Sequence, residues 1–418
     1  MIFQLLTLTY EYKLKPTKEQ TQEIERTLGV CRKVWNHALR ERKDWLNSRK
    51  CLVDACSIQS EYIISSDTPY PNYAKQCKTL TDAKEQYAEL TTVNAQVLQQ
   101  VLRRLETAFV DMQRKKMGFP RFKNHYRMRS FVFPQMLKNC WQGSRHIKLP
   151  QLGLVKVIKS RDIPEGFEIK QARIVRKASG YFIMLSLQCD VNVPDVLAHG
   201  QPLGIDIGLE QFLATSDGEM VARPRFFKTL QCKLRLLQRR LKHKVKGSNN
   251  RRKLNQKVAR VNQRISDTRK DWHFKLAHHL CDFAGMIFVE DINFKAWAKG
   301  MFRLHTLDAA FGQFFSILEW VCWKRGVYFG KVDKDYTSQQ CPQCGTHTGK
   351  KYLSDRVHSC PECKYTTHRD VAAALVIRNR GSSGLGTSLG EIACGGDAAG
   401  GTRRDKKKGG TASVHSAV

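Results

Sequence analysis

Two cysteine pairs constrain this chain more than any other feature. Cys341-Pro-Gln-Cys344 is followed, after fifteen residues, by Cys360-Pro-Glu-Cys363. Each C-x-x-C turn presents two thiolates on one tight loop, and two such loops close a tetrahedron with no open position. The expected occupant is one structural Zn²⁺, and the expected element is a zinc ribbon. The other ten of the fourteen cysteines stand singly, the usage of a reducing compartment rather than of a disulfide framework. No apolar run reaches the roughly 18 to 20 residues that span a bilayer. The N-terminus alternates like a strand and lacks the basic and apolar regions of a signal peptide. A cytoplasmic, non-membrane protein is therefore expected.

Charge narrows the class further. Lys and Arg number 71 against 38 Asp and Glu, a formal net charge of +33 in 418 residues. Such an excess repels itself in a free globule and is tolerable mainly beside a polyanion. The hydrophobic content of 41% excludes a chain disordered throughout. Residues 228–270 carry 16 Lys and Arg against the single Asp267, almost half of the excess. Leu234, Leu237 and Leu241, then Leu254, Val258, Val261 and Ile265, form apolar stripes on two helices broken at 247–250. Like charges four residues apart destabilise a helix, so phosphates are the expected partners, with Arg239, Arg240, Lys242, Arg251, Arg252 and Lys253 as candidate contacts. A second basic stretch interleaves Arg121, Lys123, Arg127 and Arg129 with Phe119, Phe122, Tyr126 and Phe131. Such a mixture can hold a backbone and stack unpaired bases; equally, the rings can be core. His347, His358 and His368 read as nucleic-acid contacts or solvated residues, because four thiolates already fill the zinc shell.

The periodicity changes twice along the chain. Residues 2–12 alternate and read as an edge strand, and helical spacing follows over 17–45 and 94–112. Period-two alternation between 119 and 193, with a tight turn at Ala178-Ser179-Gly180, suggests a small β-barrel or open sheet. From Leu203 the order is strand, hairpin, long helices, strand, helix, strand, a mixed α/β pattern. The segment from Gly381 is rich in Gly, Ser and Thr with a basic cluster at 403–408, and reads as a disordered basic tail.

Three carboxylates stand out within this frame. Asp206 lies on a strand whose Leu203, Ile205 and Ile207 point to one face, leaving the acid on a face kept open by Gly204 and Gly208. Glu290 ends an almost wholly apolar strand, where open α/β sheets build sites. Asp370 opens a helix expected to stop at Gly381, with Ala372, Ala373 and Ala374 allowing close packing. Singly, each has an ordinary role as turn, strand-end or helix N-terminal acid. Gathered within about 4 Å they repel by roughly 4 kcal/mol per pair at an effective dielectric of about 20. Only cations make that bearable. Two Mg²⁺ ions about 3.5–4 Å apart, flanking the attacking and leaving oxygens, suit in-line phosphodiester hydrolysis.

The stretches GIDIGLEQFLATSDGE, FVEDINF, TSQQCPQCG with CPECKYTTHRD, and GFPRFK followed by SFVFP resemble, in content and order, the TnpB (OrfB) family. These are RNA-guided nucleases of insertion sequences, related to compact type V CRISPR effectors. The resemblance implies a multidomain α/β plus β-barrel protein with an RNase H-like (RuvC) nuclease domain. Residues 1–15 give the first strand of a wedge-type β-barrel, 16–117 a helical recognition lobe and 118–195 the rest of the barrel. Residues 196–336 give the nuclease domain with the basic hairpin 228–270. The zinc ribbon at 337–369 is for target nucleic acid, 370–381 is the last RuvC helix and 382–418 the tail.

On the family's motifs, Asp206, Glu290 and Asp370 fall on the catalytic, Mg²⁺-binding carboxylates, and Cys341, Cys344, Cys360 and Cys363 on the zinc site. The implied partners are a guide RNA from the transposon end and target double-stranded DNA bearing a short adjacent motif, bound by a monomer. Pairing then reads sequence while protein reads shape and motif. The chain departs from the family at Ala372 and Leu375, where asparagines are frequent, and at Lys364, where glycine is common. Alternatives are a nuclease-weakened RNA-guided repressor and a DDE-like transposase.

Overall fold

The computed structural model describes residues 4–50, 64–65, 67–136, 139–191, 195–352 and 355–393. The chain divides into two compact units, 1–193 and 194–417.

The first unit opens with β1 (Gln4–Lys15) and α1 (Lys18–Ser48). Thr17 and Gln20 close a capping box that starts the helix. Then come α2 (Tyr73–Gln86), α3 (Ala88–Thr91) and α4 (Ala95–Arg114). The strands β2 (Ser130–Phe133), β3 (Trp141–Gln142), β4 (His146–Leu149), β5 (Gly153–Ile158), β6 (Glu168–Lys177) and β7 (Gly180–Val191) complete it. The expected helical stripe Ile24, Leu28, Cys31, Val34, Trp35, Ala38 and Leu39 is buried on α1. It shares one core with Leu98, Leu102 and Leu105 of α4 and with Tyr12, Ile147, Ile174 and Leu185 of the strands. Helices and sheet are thus one hydrophobic body.

The sheet order is β2-β6-β7-β1-β5-β4-β3, antiparallel throughout. Contrary to the edge position expected, β1 is central: it pairs with β7 from Gln4 to Leu14 and with β5 at its carboxyl end. Local alternation reveals a buried face but not the number of neighbouring strands. Among the described residues no ladder joins the edge strands β2 and β3, so by hydrogen bonding the sheet is open rather than a closed barrel.

The second unit begins with β8 (Pro202–Ile207), β9 (Gln211–Thr215) and β10 (Met220–Ala222), followed by α5 (Phe226–Lys242) and α6 (Asn249–Phe283). Next are β11 (Met286–Glu290), α7 (Phe294–Trp297), α8 (Arg303–Ala309), α9 (Phe311–Arg325) and β12 (Tyr328–Val332). The ribbon strands β13 (Val357–Ser359) and β14 (Thr366–His368) precede α10 (Arg369–Ala393). The main sheet runs β10-β9-β8-β11-β12. β8 to β10 form an antiparallel meander, and β11 pairs in parallel with β8 and with β12. One face buries Leu203, Ile205, Ile207, Ile287 and Val289 against Leu276, Leu280, Phe314 and Leu318 of α6 and α9. The opposite face receives α10.

That contact explains two glycines. A Cβ on Gly204 would lie 2.0 Å from the Ala374 carbonyl oxygen and 2.6 Å from the Arg378 nitrogen. A Cβ on Gly381 would lie 2.2 Å from the Phe288 ring. Gly381 is therefore a packing residue inside a helix that continues to Ala393, and not the helix stop expected from sequence. Residues 394–418 of the expected tail lie outside the described residues. Gly204→Ala is expected to destabilise the protein by about 1–3 kcal/mol or more, because its clash is with backbone. Gly384→Ala, with open space at its Cβ, is expected to stabilise the same helix by up to about 1 kcal/mol. Thermal melts of both variants check the opposite signs.

Candidate active site and nucleic-acid surfaces

The alternation of β8 and β11 decides where the acids point. Val289 pairs with Ile205, and both are in the core. The next residues, Glu290 and Asp206, therefore emerge together on the opposite face at the carboxyl ends of adjacent parallel strands. This is the face occupied by α10, which carries Asp370 in its first turn. Asp370, Ala374 and Arg378 share one side of that helix, and the last two sit over Gly204. All three acids are half-buried.

Electrostatics registers the convergence. Burial, then the fields of Glu290 and Asp370, hold the Asp206 carboxyl well above the usual range, against the opposing field of Arg369. Glu290 is raised by burial, with the Thr337 hydroxyl donating a hydrogen bond to its Oε1 and Arg380 and Lys334 pulling the other way. Among the described residues, the four ribbon thiols are the only group of three or more His, Cys, Asp or Glu side chains whose ligand atoms all lie within 4.8 Å. Asp206, Glu290 and Asp370 do not form a second such group, and they are brought together by strand register, by the seat of α10 and by the fields that reach Asp206. Oxygen-only donors and a carboxyl raised by two like charges are the chemistry that suits a hard divalent cation, and Asp206, Glu290 and Asp370 are the residues that would hold one.

The ribbon follows β12 and leads into α10, so it is an insertion that delivers the third acid. Cys341 Sγ lies 3.7 Å from Cys363 Sγ, and Cys344 Sγ 3.5 Å from Cys360 Sγ. Tetrahedral zinc–thiolate bonds of about 2.3 Å put sulfurs ~3.8 Å apart, so the four thiols fit zinc. Both knuckles turn through a left-handed residue after the second cysteine: Gly345 at φ +77° and Lys364 at φ +62°. A glycine is common in the family where Lys364 stands because this conformation penalises a Cβ. His347 packs on Tyr336, and His368 Nδ1 accepts from the Asp370 backbone nitrogen. His358 is fully buried beside Lys351, so it is neither solvated nor a surface contact as expected.

The basic stretches separate into exposed and committed groups. Segment 115–129 is strapped across α1, where Asn36 Nδ2 donates to the Lys123 carbonyl, Asn36 Oδ1 accepts from its nitrogen, and Trp35 Nε1 donates to the Arg121 carbonyl. Phe119, Phe122 and Tyr126 are 41%, 44% and 56% exposed, whereas Phe131 is 1% exposed. Three of the four rings are therefore available to bases and one is core. Arg121, Lys123 and Arg127 line a surface hollow with Trp35, Phe122 and Arg129. Lys123 Nζ sits 3.4 Å from the Trp35 ring centroid, and burial and the Arg104 charge bring its pKa down to about 8. In the α5–α6 hairpin, Leu234, Leu237, Val261 and Ile265 form a small core. Arg239, Arg240, Lys242, Arg252 and Lys253 are exposed. Arg251 is different: its Nη1 donates to the Leu241 and Lys244 carbonyls, closing the end of α5.

Sequence reasoning missed Thr337, Arg369 and Arg380. The first two stand inside motif stretches, TSQQ beside the first knuckle and HRD at the last acid, which was the available signal.

Three family models match the chain: a "Helix-turn-helix domain" over residues 1–51, a "Probable transposase" over 186–301, and a "Cas12f1-like, TNB domain" over 311–377. Within the first match the described residues form a strand and one long helix. A Streptomyces pristinaespiralis protein named "Putative RNA-guided DNA endonuclease" is 30% identical over 399 residues, covering 94% of this chain and 92% of its own. An Escherichia coli relative with that name and the suffix InsQ is 29% identical over 395 residues, covering 90% and 92%. A Cas12f1–sgRNA–target DNA complex solved by cryo-EM covers 90% of this chain and 99% of its own at 17% identity, with a TM-score of 0.34, too loose a likeness to carry an argument. The protein is an IS605-type member of a transposon-associated nuclease family. The chain belongs to the TnpB (OrfB) family.

Proposed function

We propose that the chain is an RNA-guided DNA endonuclease that cuts target DNA with one carboxylate centre. The observation that carries this is the emergence of Asp206 and Glu290 on adjacent parallel strands beneath the helix bearing Asp370. The meander with parallel crossovers supports the RNase H-like (RuvC) reading of residues 196–336 and 370–381. Divalent cations, two Mg²⁺ in this reading, supply Lewis-acid activation of the scissile phosphate and a nucleophile at neutral pH. Asp206, Glu290 and Asp370 would bind them, and Arg369, whose Nη1 donates to the Tyr352 carbonyl and whose charge is felt at Asp206, would add positive field for the phosphate. The ribbon thiols hold one structural Zn²⁺. Exposed Arg239, Arg240, Lys242, Arg252 and Lys253, and Arg121 and Arg127 beside exposed rings, bind the phosphates and unpaired bases of guide and target.

The test is to express the full chain with its native flanking DNA, sequence any retained RNA, and supply matched duplex and Mg²⁺. Retained RNA from the element end and cleavage only of matched DNA beside a fixed short motif are expected. With six to ten phosphate contacts, affinity should fall about 10³–10⁵-fold between 50 and 200 mM salt. RNA retention without cleavage favours the repressor, and guide-independent strand joining the transposase.

A further inference from the structure

The segment between β12 and the first zinc knuckle does more than connect. Its 3₁₀ turn, Thr337–Gln339, follows Tyr336, a non-glycine residue at φ +61°. That left-handed residue turns the chain so that Thr337 is buried at 5% exposure, with its hydroxyl directed at Glu290 Oε1 and 3.2 Å from the Lys334 carbonyl. The turn is itself held from α10. Arg380 Nη1 donates to the Asp333 carbonyl at 3.0 Å and the Asp335 carbonyl at 2.7 Å, while Nη2 donates to Gln340 Oε1 at 2.9 Å. Beside it, Asn379 Nδ2 donates to the Pro342 carbonyl, inside the first knuckle, at 3.0 Å.

We infer that Thr337 is a positioning residue for the Glu290 carboxylate, and that Arg380 fixes the turn which presents it. A glutamate at a strand end has three rotatable bonds, and ordering it around a cation costs conformational entropy. The Thr337 hydroxyl takes one carboxylate oxygen, Oε1, and so restricts the rotation of the whole carboxylate. Because Arg380 belongs to the helix that carries Asp370, one helix sets both the position of its own acid and the orientation of the acid on β11. Groups that orient metal ligands in this way are worth about 10–100-fold in metal affinity.

The inference rests on the reading of Glu290 as a cation ligand, and the experiment separates the two. Full-length protein with its guide RNA is compared as wild type, Thr337→Val, Thr337→Ser, Arg380→Met and Glu290→Gln. Mn²⁺ affinity is measured by calorimetry without DNA, and cleavage rate is followed against Mg²⁺ concentration. Thr337→Val is expected to weaken Mn²⁺ binding and raise half-saturating Mg²⁺ by about 10–100-fold, with much of the rate recovered at saturating metal. Thr337→Ser should restore wild-type values, and Arg380→Met should move both readouts in the same direction. Wild-type Mn²⁺ affinity in Thr337→Val, or equal loss in Thr337→Ser, overturns the inference. Where Thr337→Val fails to fold, Arg380→Met decides by the same readouts. Unchanged metal binding and cleavage in Glu290→Gln would instead remove the underlying site reading.

Discussion

Replacing Asp206 by asparagine is expected to lower the cleavage rate by about 10³-fold or more, a transition-state loss of at least about 4 kcal/mol, while guide and target affinities stay at wild-type levels. The residue stands on the central strand of its sheet, on the face under α10, whereas the exposed basic groups offered to phosphates are on other elements, five of them on the α5–α6 hairpin. The same substitution is expected to raise stability when chelator removes divalent cations. Burial and the fields of Glu290 and Asp370 hold the folded carboxyl well above its ordinary value. Between the unfolded and folded pKa values the folded state therefore binds more protons, and stability declines as pH rises from about 4 through the folded pKa. Asparagine removes that decline. Melting temperatures in EDTA should be higher for the variant at neutral pH and converge with wild type in acid, and added Mg²⁺ should stabilise wild type more than the variant. Normal cleavage would dismiss the active-site reading, and an unfolded variant would assign Asp206 a structural role.

Much of this site was legible because its positions obey short rules. The alternation around Asp206 puts Leu203, Ile205 and Ile207 in the core and the acid outside, since a strand can bury only alternate residues on one face. The apolar run before Glu290 announces a strand covered on both faces, and β11 lies between two parallel neighbours. The cysteine spacing requires two facing knuckles, and the four thiols are gathered.

What the sequence withheld depends on neighbours remote in the chain. β1 reads like an edge because nothing local encodes its pairing with β7, more than 150 residues away. Gly381 reads like a helix stop, for glycine ends helices and also admits close packing; only the Phe288 ring above it distinguishes the two. Phe122 and Phe131 sit in similar basic surroundings, yet one is exposed and the other buried. Thr337 lies in the TSQQ stretch, but that stretch does not name Glu290 as its partner, because the aim of the hydroxyl is set by a left-handed residue and an arginine on another helix.

Those same remote contacts tie the cysteine ribbon to the elements that carry Glu290 and Asp370. Cys360→Ser is expected to eliminate bound zinc and to depress the melting temperature of the second unit, and to slow cleavage by at least about tenfold although all three acids remain. Cys360 and Cys341 are the buried pair of the four ligands, so losing either exposes the interior of the ribbon. The Cys341 knuckle is bonded to α10 through Asn379, and the turn before it through Arg380. The second knuckle feeds through β14 directly into Arg369 and Asp370. Slackening the ribbon therefore frees the start of the helix that bears one acid and the turn that holds another. Structural zinc contributes about 10–16 kcal/mol in isolated fingers; here the sheet and its core are independent of it, so an early partial melting transition is expected rather than global collapse. Retained RNA should be unaffected, since Arg239, Arg240, Arg252 and Lys253 lie on a hairpin with its own core. A zinc-free variant that melts and cuts like wild type would confine the ribbon to a peripheral role and break the link from its knuckles to Glu290 and Asp370.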